Sequence, residues 1–249
     1  MYTKTVLITG GTRGLGKKIA EIFLKNDYNI VLAARNIYDC NFPKDFFKFI
    51  KTDVRKIEEI QNAVSETIEW AGSIDVLINN AGYSEWKELS NIDEFFWDNM
   101  ISTNLKSVLF ASKYAADVMQ PKASIINISS LAGKRGSANN SVYCASKFGV
   151  NGITQALAKE LGIKGIRVNA VCPVYLRTEG LETALKETQS PAKGHNLDNF
   201  LSDFAKTQTA LGLLPTEEQV ANTCLFLATE SAFAITGQCI NVDCGVMPQ

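Results

Sequence analysis

The stretch Thr5-Val6-Leu7-Ile8-Thr9-Gly10-Gly11-Thr12-Arg13-Gly14-Leu15-Gly16 decides the fold. Its first five residues are β-branched or apolar and read as a buried strand. The glycines follow at once, and a helical pattern runs on to about Lys25. A glycine-rich turn between strand and helix lets backbone approach a pyrophosphate, and the helix N-terminus offers unpaired N–H groups and a positive dipole end. The spacing is Gly-x-x-x-Gly-x-Gly, not the commoner Gly-x-Gly-x-x-Gly, and a purely structural turn could share it. Gly10, Thr12, Arg13, Gly14, Leu15 and Gly16 are the first candidate cofactor contacts.

The next strand, Asn29–Ala34, ends in Arg35. In a dinucleotide fold this strand end meets the adenosine ribose, where a carboxylate selects NAD and repels a 2′-phosphate. Here there are two cations, Arg13 and Arg35, and no carboxylate, which favours NADP(H) over NAD(H) because arginine pairs with phosphate. Only eleven residues, Pro43 among them, separate Arg35 from the third strand at Phe47–Lys51, so the crossover between them is a single turn at most. Asp53 and Val54 follow, placed for an adenine edge.

Strand and helix patterns alternate to the end of the chain with no linker, repeat or low-complexity block, so residues 1–249 are expected to form one doubly wound α/β domain. A helix spans about Lys56 to Trp70, and the apolar strand Ile74–Ile78 ends in Asn79-Asn80-Ala81-Gly82. Small residues there admit backbone to the cofactor, and the Asn side chains can tie strands together. A long helical pattern from about Phe95 to Met119 carries Asn104, which could cap a local break, hold a water chain or be satisfied structural polarity. After a strand at Arg167–Val171 closed by Pro173, residues 179–214 have weaker periodicity and occupy the place of a substrate lid. A helix from Thr216 and a strand at Gln238–Val242 finish the chain.

The chemistry centres on residues 129–147. The apolar run Ile125–Ile128 delivers Ser129 and Ser130 to the C-terminal rim of a sheet, and a helix starts near Tyr143. Tyr143 and Lys147 are four apart and share a helix face, where an ammonium beside a phenol is expected to lower the tyrosine pKa toward that of a working acid or base. Tyr83-x-x-x-Lys87 repeats the spacing but lies in a loop without a strand-end serine, and reads as coincidence.

A 46% hydrophobic chain of 249 residues suits a globular core, and a net charge of −1 carries no nucleic-acid footprint. No stretch resembles a membrane span or a signal peptide, and six cysteines without a Cys-x-x-Cys read as reduced thiols in a cytoplasmic protein. Cys144 reads as a packing residue rather than a nucleophile. His195, the only histidine, falls in the lid region and reads as an exposed loop residue; alone it cannot make a metal site, and none is expected.

Taken in order, Thr9–Gly16, Asp53-Val54, Asn79–Gly82, Asn104, Ser130, Tyr143/Lys147, Pro173 with Thr178, and Ile235–Gln238 with Val242-Asp243 resemble the short-chain dehydrogenase/reductase family over the whole chain. The resemblance implies a seven-stranded parallel sheet of the Rossmann type and hydride transfer between a nicotinamide and a carbonyl or alcohol carbon. It implies Tyr143 as the acid in reduction, Ser130 as its partner on the carbonyl oxygen, Lys147 as the residue that tunes Tyr143 and binds nicotinamide ribose, and Asn104 as the holder of a proton-relay water. It adds Asn80, Ala81, Gly82, Pro173, Val174, Leu176 and Thr178 as cofactor contacts, a 3-oxoacyl thioester, small ketone or sugar as substrate, and a homo-oligomer, usually a tetramer. Val174 departs from the Pro-Gly usual in the family, and Asp243-Cys244-Gly245 from Asp-Gly-Gly. Substrate-pocket candidates are Tyr83, Ser84, Trp86, Ala132, Lys134, Tyr175 and the lid; Lys134-Arg135 could meet an anionic handle or be a solvated loop. The competing class is a catalytically silent cofactor sensor or scaffold on the same fold.

Overall fold

A computed structural model describes residues 3–38 and 40–248. Seven parallel strands lie in the order β3-β2-β1-β4-β5-β6-β7, with β1 Thr5–Thr9, β2 Asn29–Ala34, β3 Phe47–Lys51, β4 Val76–Asn79, β5 Ser124–Ile128, β6 Arg167–Pro173 and β7 Cys239–Val242. The order runs outward from β1 in one direction and from β4 in the other, so the chain reverses its winding between them. That switch point opens a crevice at the strands' C-terminal ends. Strands β1 and β5 are buried at every position, as central parallel strands covered on both faces must be.

The helices are α1 Gly14–Leu24, α2 Ile57–Ala71, α3 Glu94–Ile101, α4 Ser107–Val118, α5 Ser141–Gly162, α6 Glu179–Leu185, α7 Leu197–Gln208 and α8 Glu217–Ala228. One apolar cluster joins α1 and α8 to one sheet face through Ile19, Phe23, Val220 and Leu227. A second joins α2, α4 and α5 to the other face through Ile60, Val64, Ala115 and Leu161. The α8 start is fixed by a capping box, in which Thr216 Oγ1 accepts from the Gln219 N–H and Gln219 Oε1 accepts from the Thr216 N–H.

Among the described residues, the β2–β3 crossover holds only a three-residue 3₁₀ turn, Lys44–Phe46, in keeping with the few residues available. In place of a helix, Cys40 and Phe42 fold against the sheet, and the Phe42 and Phe47 rings lie 5.1 Å apart. Two features differ from the sequence pattern. The long helix carrying Asn104 is interrupted by a π-helical turn, Ser102–Lys106, between α3 and α4. Residues 179–214, where the sequence shows weaker periodicity, carry two helices, α6 and α7, which pack with Trp86 and Tyr175 into a small separate core. α6 has only seven residues, too few to show a helical period, whereas α7 carries Leu197, Phe200, Leu201, Phe204 and Ala205 at helical spacing.

Candidate active site

The crevice is a cleft of about 880 Å³. Every candidate cofactor contact read from the sequence lines it, from Gly10 to Thr178, together with Ser130, Tyr143 and Lys147. Asn104 does not line it and sits fully buried one layer behind.

At one end, Gly10 takes φ +67° and approaches β4 so closely that an added Cβ would lie 2.8 Å from Ala81 Cα. Gly16 has no room either, since a Cβ there would stand 2.5 Å from both Asn80 Nδ2 and the Gly10 carbonyl oxygen. Asn80 locks this approach by donating to the Thr9 and Gly10 carbonyls at 3.1 and 2.9 Å. Asn79 turns the other way and donates to Ser112 Oγ and Asn127 Oδ1, tying β4 to α4 and β5. Arg13, at the N-cap of α1, gives that helix no side-chain cap, which leaves its first N–H groups facing the cleft. Arg35 is exposed at the end of β2; Arg13 lies 5.5 Å from the Tyr38 ring centre and 3.9 Å from a Glu179 carboxylate oxygen. Uncapped N–H groups, a close glycine backbone and two arginines without a carboxylate at the β2 end fit a dinucleotide carrying a 2′-phosphate.

Asp53 lines the cleft, held by Arg55, whose guanidinium draws its carboxyl pKa down to about 2. Val54 beside it is buried.

At the other end, the Tyr143 hydroxyl neighbours Ser130, which acts to lower the phenol's pKa, and Ser130 Oγ accepts from the Ala132 N–H at 3.1 Å. Lys147, 5% exposed, donates to the Ile128 carbonyl at 2.9 Å, and its Nζ lies 5.7 Å from the Tyr143 ring centre. Gly82 separates Lys147 Nζ from Asn104 Oδ1. Contrary to the expected lowering, burial pushes the Tyr143 phenol up to about 12, against the opposing effect of neighbouring Ser130. Burial likewise pushes Lys147 down to about 8. The spacing correctly brings ammonium and phenol together, but a sequence does not display how thoroughly the same helix and loops exclude water from both groups.

Asn104 clamps the loop after β4. Its Oδ1 accepts from the Tyr83 N–H at 3.0 Å, and its Nδ2 donates to the Tyr83 carbonyl at 2.8 Å and to Ser146 Oγ at 3.4 Å. The π-turn supplies the extra residue that aims this side chain inward. Of the pocket candidates, Tyr83, Ser84, Trp86, Ala132 and Tyr175 line the cleft. Lys134 does not; it turns to the Cys239 carbonyl on β7 at 2.6 Å, leaving Arg135 at the cleft. Phe204 of α7 and Leu181 of α6 also line the cleft, and neither was among the pocket candidates named from the sequence. His195 is exposed outside it, and Lys87 of the second Tyr-x-x-x-Lys match is in a non-helical loop, as expected. No cluster among the described residues could hold a metal.

Fold and cleft together define a dinucleotide-binding α/β oxidoreductase. A family model described as enoyl-(acyl carrier protein) reductase matches residues 10–247. A 3-oxoacyl-[acyl-carrier-protein] reductase of Staphylococcus aureus (strain Mu50) is 34% identical, with 98% of each chain covered. The solved aldohexose dehydrogenase of Thermoplasma acidophilum superposes with a TM-score of 0.88 at 28% identity, over 99% of this chain and 98% of its own. A single-residue variant of the actinorhodin polyketide ketoreductase, solved with NADPH, gives 0.87 at 28% identity, over 98% of this chain and 97% of its own. The chain belongs to the short-chain dehydrogenase/reductase family.

Proposed function

We propose that the chain is an NADP(H)-dependent reductase of 3-oxoacyl thioesters, with Tyr143 as proton donor. The carrying observation is a pair of neighbouring hydroxyls, Ser130 and Tyr143, both lining the cleft. A carbonyl oxygen placed between them receives two hydrogen bonds, which stabilise the charge that develops on it. Bound there, the nicotinamide supplies hydride to the carbonyl carbon. A phenol pushed up to about 12 is neutral at physiological pH and so carries the proton that reduction requires. As the proton leaves Oη, the nearby Lys147 ammonium supports the phenolate.

In this reading Asn104 is a positioning residue that holds the Tyr83 loop. The glycine loop with Asn80, Ala81 and Gly82 seats the pyrophosphate side, Arg13 and Arg35 take the 2′-phosphate, and Asp53 and Val54 border the adenine. Pro173, Val174, Leu176 and Thr178 border the nicotinamide. The chain works as one unit, with residues 179–214 as its lid. The S. aureus relative's name and the NADPH of the ketoreductase structure support this substrate and cofactor. Aldohexose oxidation is the second reading, favoured by the T. acidophilum likeness. We further place the protein in the cytoplasm, since no disulfide joins its cysteines. We read it as a homo-oligomer, since Leu109 and Phe148 on α4 and α5 are exposed apolar residues. The functional test is turnover of a 3-oxobutanoyl thioester against glucose, each with NADPH/NADP⁺ and NADH/NAD⁺. Thioester reduction with NADPH supports the proposal; sugar oxidation alone replaces it.

A further inference from the structure

Residues 84–87 line the cleft after β4 and, with Glu88, form no regular secondary structure. Their backbone is nevertheless paired on both sides. Toward the lid, the Trp86 N–H donates to Glu187 Oε2 at 3.2 Å and the Glu88 N–H donates to Gln189 Oε1 at 2.7 Å. Away from it, the Lys87 N–H donates to the Asn139 carbonyl at 2.7 Å. This is the alternation of an extended chain. On the lid side, donors and acceptors are each two residues apart, so the Glu187 and Gln189 side chains stand where carbonyls of a neighbouring strand would. Asn139 closes the junction by donating from Nδ2 to the Gln189 carbonyl at 3.2 Å. Its φ of +57° is one that asparagine tolerates. The next residue, Asn140, is the N-cap of the helix that carries Tyr143.

The lid-side acceptors stand on a rigid base. The turn after α6 is closed by the Ser190 N–H, which donates to the Glu187 carbonyl at 3.0 Å, and by the buried Ser190 hydroxyl, which donates to the Leu185 carbonyl at 2.7 Å. The Trp86 side chain, 6% exposed, packs with Ala184, Leu185 and Leu201 of the lid. Glu187 is partly buried, and no cation pairs with its carboxylate among the described residues. We propose that Glu187 is a positioning residue: acting through Trp86, it clasps the lid to the loop after β4 and presets the width of the substrate end of the cleft. The inference rests on the proposed reductase function and concerns how the substrate is held, not which bond is made. Without the carboxylate, the Trp86 N–H loses its acceptor in a half-buried place, and the loop gives up its alignment to find another. Substrate must then order that wall as it binds, which weakens binding. Ser130 is held by the Ala132 N–H and Lys147 by the Ile128 carbonyl, neither of them in the clasp, so the chemical step is spared.

The test compares wild type with Glu187→Ala, which removes the acceptor, and with Glu187→Gln, which keeps an amide oxygen in its place. Reduction of the N-acetylcysteamine thioester of 3-oxobutanoate by NADPH gives KM and kcat. Hydrogen exchange of peptides covering residues 84–88 reads the clasp directly. The proposal expects Glu187→Ala to raise KM about tenfold and to speed exchange across 84–88 by about the same factor, with kcat and NADPH affinity within about twofold of wild type. Glu187→Gln should stay within about twofold of wild type in every readout. A merely structural role would lower the active fraction, and so kcat, without moving KM. An unchanged KM, equal effects in both variants, or unchanged exchange at 84–88 in Glu187→Ala overturns the clasp and leaves the reductase reading standing. A wild-type protein that binds NADPH but reduces no thioester overturns the reductase reading, and the part of Glu187 in substrate binding with it.

Discussion

Replacing Lys147 by methionine should stabilise the protein at neutral pH while abolishing its chemistry. Lys147 is buried, and among the described residues only the Ile128 carbonyl accepts from its ammonium. Burial pushes its pKa from 10.5 to about 8, which corresponds to roughly 3 kcal/mol of penalty on the charged form. For a base whose folded pKa is lowered, the unfolded chain binds the extra proton. The penalty is therefore fully present below about pH 8 and disappears as pH rises toward 10.5. Methionine fills similar space without the charge but forfeits the hydrogen bond to Ile128, about 1–1.5 kcal/mol, so a net gain of about 1–2 kcal/mol is expected at pH 7. Urea unfolding of both proteins at pH 7, 8, 9 and 10, at one protein concentration, measures it. The buried Cys224 thiol, which burial pushes up to about 12, destabilises the fold as pH rises past 9 in both proteins alike and cancels in the difference. The Lys147→Met advantage should shrink steadily above pH 8. An advantage independent of pH, or a variant less stable than wild type at pH 7, would refute the assignment of a costly buried ammonium.

Asn104→Ala should destabilise the fold by about 2–3 kcal/mol, because it strands the Tyr83 N–H and carbonyl that it now pairs; chemical denaturation reads the loss, and an accompanying rise in KM would report the released loop. Arg35→Ala should weaken NADPH binding by about 10–100-fold and leave NADH within about twofold, as expected for loss of one charge-assisted contact. Equal binding of the two cofactors by wild type would instead mean that Arg35 serves only the solvent.

The strands were readable because central parallel strands are apolar on both faces: Val6–Ile8, Leu77–Ile78 and Ile125–Ile126 are nearly continuous runs, and all are buried. The glycine loop was readable because glycine is required where backbones meet, as Gly10 and Gly16 meet Ala81 and Asn80. Properties that arise only from assembly were not. The π-turn at Ser102–Lys106 has no signature of its own and emerges from Asn104 reaching Tyr83, more than twenty positions earlier. The opposite directions of Lys134 and Arg135 are set by a carbonyl on β7, over a hundred residues away. The raised Tyr143 pKa likewise depends on the walls around the phenol and not on its spacing from Lys147.

The central claim is that Tyr143 supplies the proton for an NADPH-dependent reduction. The direct test is Tyr143→Phe, with NADPH affinity measured by fluorescence titration and thioester turnover by loss of NADPH absorbance. The account predicts affinity retained and turnover reduced by about 10²–10⁴-fold, the range for removal of a general acid. Turnover near the wild-type rate, with cofactor bound, would contradict it.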